Sequence, residues 1–215
     1  MANSVTVKIC GLTRERDVAH ALSLGADLLG FIVYEPSPRG LTVERAQELA
    51  ALVPIGRRVV VDVAPSIEKL SQCLDAGFDY FQIHLDGSTN EASVAAWSEL
   101  VGKSRLWLAP RLKPGEVFPE HLLQYAETIL VDTYSSEQVG GTGQTGEWGD
   151  FARWKTDYSQ QQWVLAGGLN AGNITRAIAE TGASHLDVNS GVEIRPGVKD
   201  HEKLESLFGV CKQSF

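Results

Sequence analysis

The side chains that could do chemistry in this sequence are Cys10, Arg39, Gln82, His84, Asp132, Asp187, Asn189 and Ser190. Glycines stand among them at Gly141, Gly143, Gly167, Gly168 and Gly191. The glycines come in three groups. Ala166-Gly167-Gly168-Leu169 and Asn189-Ser190-Gly191-Val192-Glu193 each follow a short apolar run. Two such glycine turns, late in an α/β chain, suit a phosphorylated small molecule held by backbone N–H groups and a helix N-terminus. The third group, Gly140-Gly-Thr-Gly-Gln-Thr-Gly146, matches G-x-G-x-x-G, but it sits several residues beyond its strand and lacks the strand–turn–helix context of a dinucleotide site. It also has the glycine spacing of a phosphate loop, except that Glu147 stands where the lysine belongs. An anion-binding or lid loop is the better reading. Taken alone, Cys10 is a small buried thiol with no assigned work.

The elements that must position these residues alternate strictly. Val5, Val7 and Ile9 are β-branched, so the first strand ends at Cys10 and stops at Gly11, with Thr13 placed as a helix N-cap. A helix from Arg14 to Leu24 closes at Gly25. Further strands are expected over 27–33, 58–63, 80–84, 105–109, 128–132, 163–166 and 185–188. Helices are expected from Thr42 to Leu52, Ser66 to Ala76, Asn90 to Val101, Phe118 to Ala126 (weaker), Trp148 to Trp154, Asn173 to Thr181 and Asp200 to Cys211. Eight strand–helix units with short connections imply a parallel sheet. The expected fold is a single-domain (β/α)8 TIM barrel spanning 1–215, with an open doubly wound sheet as the alternative. In either, the loops leaving the carboxyl ends of the strands converge on one face. Cys10, Arg39, Asp62, Gln82, His84, Arg111, Asp132, Gly167 and Asp187 all fall at or beyond those ends. His84 reads either as a ligand contact or as a satisfied core histidine, and Asp187 as either a ligand contact or a loop cap.

At 215 residues the chain can bury a sizeable core. Its formal charge of -8 argues against nucleic acid or an anionic membrane surface as the main partner, and leaves an anionic small molecule open. Cys10, Cys73 and Cys211 are odd in number and have no metal-ligand spacing, which suits a reducing cytoplasm better than a disulfide scaffold, and no metal site is expected. No apolar stretch reaches the roughly 18 residues of a membrane span, and no signal peptide is expected at Met1-Ala-Asn-Ser4.

Seven motifs in unbroken order resemble the phosphoribosylanthranilate isomerases of tryptophan biosynthesis. They are Lys8-Ile-Cys-Gly-Leu-Thr13, Ser37-Pro-Arg39, Gln82-Ile-His84, Val131-Asp-Thr133, Gly140-Gly-Thr-Gly143, Ala166-Gly-Gly-Leu-Asn170 and the run from Asp187 to Asp200. The resemblance implies an Amadori rearrangement that needs no cofactor, with Cys10 as general base and Asp132 as general acid. It places Arg39 near the anthranilate carboxylate and the glycine-rich ends of strands seven and eight on the phosphate. Gln82, His84, Gly141, Gly143, Gly167, Gly168, Asp187, Asn189, Ser190 and Gly191 are the further expected substrate contacts, in a monomer or homodimer. The chain departs from the family at Gly40, where an aromatic is usual, at Gly146-Glu147 before Trp148, and at Asn189 in place of a common serine.

The implied reaction suits these residue types. An aminoaldose becomes an aminoketose when a proton reaches the ring oxygen and another leaves the sugar C2, so acid and base should come from well-separated strands. A carboxyl must be protonated to act as the acid, and a thiol ionised to act as the base, which calls for a cationic neighbour. Lys8 shares the strand face of Cys10. A histidine-pathway barrel would typically carry an aspartate at the end of strand one, where this chain has Cys10. A barrel reduced to ligand binding would be expected to have lost Cys10 or Asp132.

Overall fold

The computed structural model describes residues 5–133 and 148–214. Eight parallel strands close into a barrel in sequence order: β1 (Thr6–Ile9), β2 (Leu28–Ile32), β3 (Arg58–Val63), β4 (Tyr80–His84), β5 (Leu106–Ala109), β6 (Thr128–Asp132), β7 (Gln162–Ala166) and β8 (His185–Val188). Closure is made by β1 on β8, with Lys8 opposite Asp187 and Ile9 opposite Val188. The open sheet is thereby excluded.

Helices α1 (Glu15–Leu24), α2 (Val43–Ala50), α3 (Ile67–Asp75), α4 (Glu91–Val101), α5 (Trp148–Asp157), α6 (Ile174–Thr181) and α7 (His201–Ser214) lie between and after the strands. Several ends are written in the sequence. Thr42 and Ser66 accept from the backbone N–H of Arg45 and Lys69, as N-caps do, and Gly25 ends α1 in the left-handed region at φ 99°.

Three local expectations change. The α1 N-cap is Arg14, not Thr13, whose hydroxyl donates to the Gly197 carbonyl instead. The weak helix expected over 118–126 is a five-residue 3-10 turn, Glu120–Gln124. Its flank holds Pro119, and Phe118 turns inward against Trp154 and Trp163. Between β8 and α7 the chain also makes a 3-10 turn, Ser190–Val192, and a small antiparallel hairpin, β9 (Glu193–Arg195) with β10 (Val198–Lys199). Strands of two or three residues leave no period to read.

The strand period of two sorts side chains into two cores. Val7, Ile9, Phe31, Phe81, Ile83, Val131, Leu165 and Val188 face the helices in the main apolar cluster. The opposite parity faces inward, where Trp107, Ala109, Leu130, Val164 and Ala166 pack together and Cys10 packs with Val59 and Val61. Lys8, Gln82, His84, Asp132 and Asp187 share that inward parity, so the strands aim them at the barrel axis. Asp62 has the other parity and pairs with Lys69 of α3 at 2.7 Å, which removes it from the axial set.

Candidate active site

Inside the mouth of the barrel, Lys8 meets Asp187 at 2.8 Å, with their side chains 1% and 7% exposed. Lys8 also lies beside Cys10 and interacts with it electrostatically. The two groups converge over Gly30, where an added Cβ would lie 2.9 Å from both the Cys10 Sγ and the Lys8 Nζ. Burial works against the Lys8 charge, yet Asp187 and Cys10 outweigh it and hold the ammonium above its ordinary value. Burial pushes the Cys10 thiol up, Asp187 adds to that, and Lys8 and Lys199 only partly offset them. The cationic neighbour expected from the sequence is therefore present, but it is shared with a carboxylate, and the resting Cys10 is a thiol.

Gln82 and His84 face the same axis from β4, across the barrel. The Gln82 amide donates to His84 Nε2 at 2.9 Å. Loss of solvation pulls His84 down to about 4, so its ring is neutral and able to accept. Asp187 is thus a barrel-closing ion partner rather than a loop cap, and His84 faces the axis.

Arg39, on the loop after β2, is clasped by Glu193 of β9. Its Nε lies 3.0 and 3.2 Å from the two carboxylate oxygens and its Nη2 2.6 Å from Oε2. Lys199 of β10 stands behind the carboxylate, 3.0 Å from Glu193 Oε1, 2.9 Å from Asn189 Oδ1 and 3.1 Å from the Asn189 carbonyl. Three acceptors match the three hydrogens of an ammonium. The same loop accounts for Gly40. A Cβ there would lie 2.6 Å from the Tyr34 carbonyl oxygen and 3.0 Å from that of Ser37, so the turn leaves no room for an aromatic.

The ends of β7 and β8 approach closely. Gly167 and Gly168 both have positive φ, 104° and 62°, backbone that favours glycine and keeps side chains away from this turn. Across from them, a Cβ on Gly191 would lie 2.0 Å from the Leu169 carbonyl oxygen. Among the described residues, the N–H groups of Gly167, Gly168, Ser190 and Gly191 make no hydrogen bond. Asp132 ends β6 opposite Ala166 of β7, is exposed, and precedes Thr133, which donates to the Ala166 carbonyl through both its N–H and its hydroxyl. Gly141 and Gly143 lie outside the described residues.

The described members of the sequence-predicted set therefore lie on one face, with Cys10 and Asp132 on separate strands. Lys8 emerges as a full member of the cluster, and Glu193 and Lys199 were missed. Both sit in the run from Asp187 to Asp200, but only the hairpin reveals what they touch. Arg111 goes elsewhere: with Leu85, Thr89, Val94, Pro110 and Leu122 it lines a cavity of about 380 Å³ between the loops after β4 and β5. Among the described residues, no group of three His, Cys, Asp or Glu side chains could hold a metal ion. No helix there is long and apolar enough to cross a membrane.

A closed parallel barrel with titratable side chains at the carboxyl ends of its strands is the architecture of the (β/α)8-barrel enzymes. Comparison with known proteins narrows the class. The family model described as N-(5'phosphoribosyl)anthranilate (PRA) isomerase matches residues 7–210. The N-(5'-phosphoribosyl)anthranilate isomerase of Zymomonas mobilis is 35% identical over 205 residues, covering 94% of this chain and 95% of that one. The enzyme of the same name from Pseudomonas savastanoi is 36% identical over 207 residues, with the same coverage. Among solved structures, TrpF from Jonesia denitrificans superposes with a TM-score of 0.78 at 28% identity over 98% of both chains. A phosphoribosyl anthranilate isomerase solved in complex with reduced 1-(o-carboxyphenylamino)-1-deoxyribulose 5-phosphate superposes at 0.73 with 27% identity, over 97% of this chain and 99% of that one. The chain belongs to the N-(5'-phosphoribosyl)anthranilate isomerase family of tryptophan biosynthesis.

Proposed function

We propose that the chain carries out the family's isomerisation as an Amadori rearrangement, with Asp132 as general acid and Cys10 as general base. The observation that carries this reading is the placement of the two groups at inward positions, at the ends of β6 and β1. A protonated Asp132 delivers its proton to the ring oxygen of the aminoaldose. The ring opens, and nitrogen takes up the positive charge as a protonated imine. That cation acidifies C2–H, Cys10 removes the proton, and the resulting enolamine tautomerises to the aminoketose. No redox partner is required, because C2 is oxidised as C1 is reduced within one molecule: C2 and its hydroxyl each lose a proton, and C1 and the ring oxygen each gain one.

Cys10 must reach this step as thiolate. Lys8 and Lys199 favour that form, while burial and Asp187 oppose it. A ligand hydroxyl donating to Asp187 partly screens that opposing charge, which favours the thiolate. The N–H groups of Gly167, Gly168, Ser190 and Gly191 receive the 5'-phosphate, an arrangement supported by the positive φ of Gly167 and Gly168 and by the close approach of Gly191 to Leu169. Arg39 faces the carboxylate of the anthranilate ring. Gln82 and His84 offer a neutral hydrogen-bonding wall to the sugar.

The test follows anthranilate fluorescence on freshly made phosphoribosylanthranilate with wild-type protein and Asp132→Asn. We expect the wild type to turn over and the folded Asn variant to lose a factor of about 10² or more in kcat, as removal of a general acid does. Near-normal turnover by Asp132→Asn takes Asp132 out of the mechanism.

A further inference from the structure

Glu193 is a buried carboxylate in the site that the proposed chemistry does not use. It is held rigidly. Oε1 takes hydrogen bonds from Lys199 Nζ at 3.0 Å and from the backbone N–H of Gly197 at 3.1 Å, in the turn of the β9–β10 hairpin. The hairpin is itself fixed to α1. The backbone N–H of Lys199 donates to the fully buried Asp17 at 3.1 Å, which also receives Arg14. Glu193 therefore cannot follow the arginine; the arginine must come to it.

The clasp uses the Nε and Nη2 edge of Arg39 and leaves Nη1 over. The arginine stem crosses Gly11, the residue after Cys10: a Cβ there would lie 2.7 Å from Arg39 Cδ and 2.6 Å from Asn189 Oδ1. The guanidinium is thus presented beside the catalytic strand end in one orientation. An unclasped arginine would have to lose its rotamer freedom each time it gripped a ligand. A cation neutralised by a single carboxylate would also attract a second one weakly. Here Arg39 shares its carboxylate with Lys199, so the guanidinium is not the sole partner of Glu193.

We propose that Glu193, braced by Lys199, is a positioning residue that orients Arg39 toward the aryl carboxylate of the substrate. It thereby makes the site selective for a carboxylated ring without touching the ligand. This rests on the assignment of Arg39 to that carboxylate.

The test is a double-substitution cycle read by calorimetry with two probes, reduced 1-(o-carboxyphenylamino)-1-deoxyribulose 5-phosphate and inorganic phosphate. Glu193→Gln should weaken the carboxylated probe about tenfold, the scale of one hydrogen bond to a charged group, and leave inorganic phosphate unchanged. In turnover the loss should fall on KM rather than kcat. In an Arg39→Met background, Glu193→Gln should add nothing. Glu193→Asp keeps a carboxylate in the cluster while shortening its reach to Arg39. It should show the same selective loss with its thermal midpoint near wild type, which covers the case of a poorly folded Gln variant. If Arg39→Met alone leaves the carboxylated probe unaffected, the assignment of Arg39 falls and the role of Glu193 with it. If Arg39→Met weakens that probe but Glu193→Gln is silent, adds its full loss on top, or weakens phosphate equally, only the positioning role is overturned.

Discussion

Lys8 and Asp187, 179 residues apart, stand opposite each other in the β1–β8 register and close the barrel with a buried ion pair at 2.8 Å. The pair joins the first strand to the last and sets the charge around Cys10. Each partner is tolerable inside only because the other is there. Lys8→Met should lower the unfolding free energy by about 3–5 kcal/mol, since it strands the Asp187 carboxylate. The double variant Lys8→Met/Asp187→Asn should lose less than the two single losses combined. Urea unfolding of the three variants checks this, and additive losses would show that the pair is not coupled.

Cys10 separates a chemical role from a packing role. Cys10→Ser replaces a thiol by a hydroxyl of far higher pKa at a site beside the Lys8 ammonium. Turnover should fall by about 10² or more while the unfolding free energy changes by less than about 1 kcal/mol. The measurement is kcat beside thermal midpoint for this one variant. A serine enzyme that is active but less stable would return Cys10 to core packing.

Gly191 governs how closely the loops after β7 and β8 approach. With a Cβ placed 2.0 Å from the Leu169 carbonyl oxygen, Gly191→Ala must push the two loops apart. Inorganic phosphate should bind about tenfold more weakly, and overpacking should cost about 1–3 kcal/mol of stability. Calorimetry with phosphate decides; an unchanged affinity would remove these N–H groups from the phosphate site.

His84 should make the protein acid-sensitive. Burial lowers its pKa from 6.5 to about 4, so between those values the unfolded chain takes up a proton that the folded chain refuses. Stability therefore falls as pH drops through that window and is regained as pH rises toward 6.5. His84→Gln should flatten this part of the profile, read as the unfolding free energy at pH 7 against pH 4.5. An identical acid slope in both proteins would locate the sensitivity elsewhere.

How much of this was legible in the chain follows from where the information resides. The βα alternation, the caps at Thr42 and Ser66, the stop at Gly25 and the inward parity of Lys8, Gln82, His84, Asp132 and Asp187 are local. They depend on which residue types recur at periods of 2 and 3.6 and on backbone preferences that neighbours impose. That is why the barrel and the ring of strand-end residues follow from the sequence. What each group meets there is not local. Closure required β1 to find β8. The state of the Cys10 thiol turned on an aspartate at the far end of the chain, because burial and one nearby carboxylate outweigh the cation two residues away. Arg39 acquired Glu193 across 154 residues, through a hairpin too short to carry a periodic signal. Periodicity aims side chains at the axis; only the packed barrel, where desolvation multiplies every charge–charge contact, decides which partners they find.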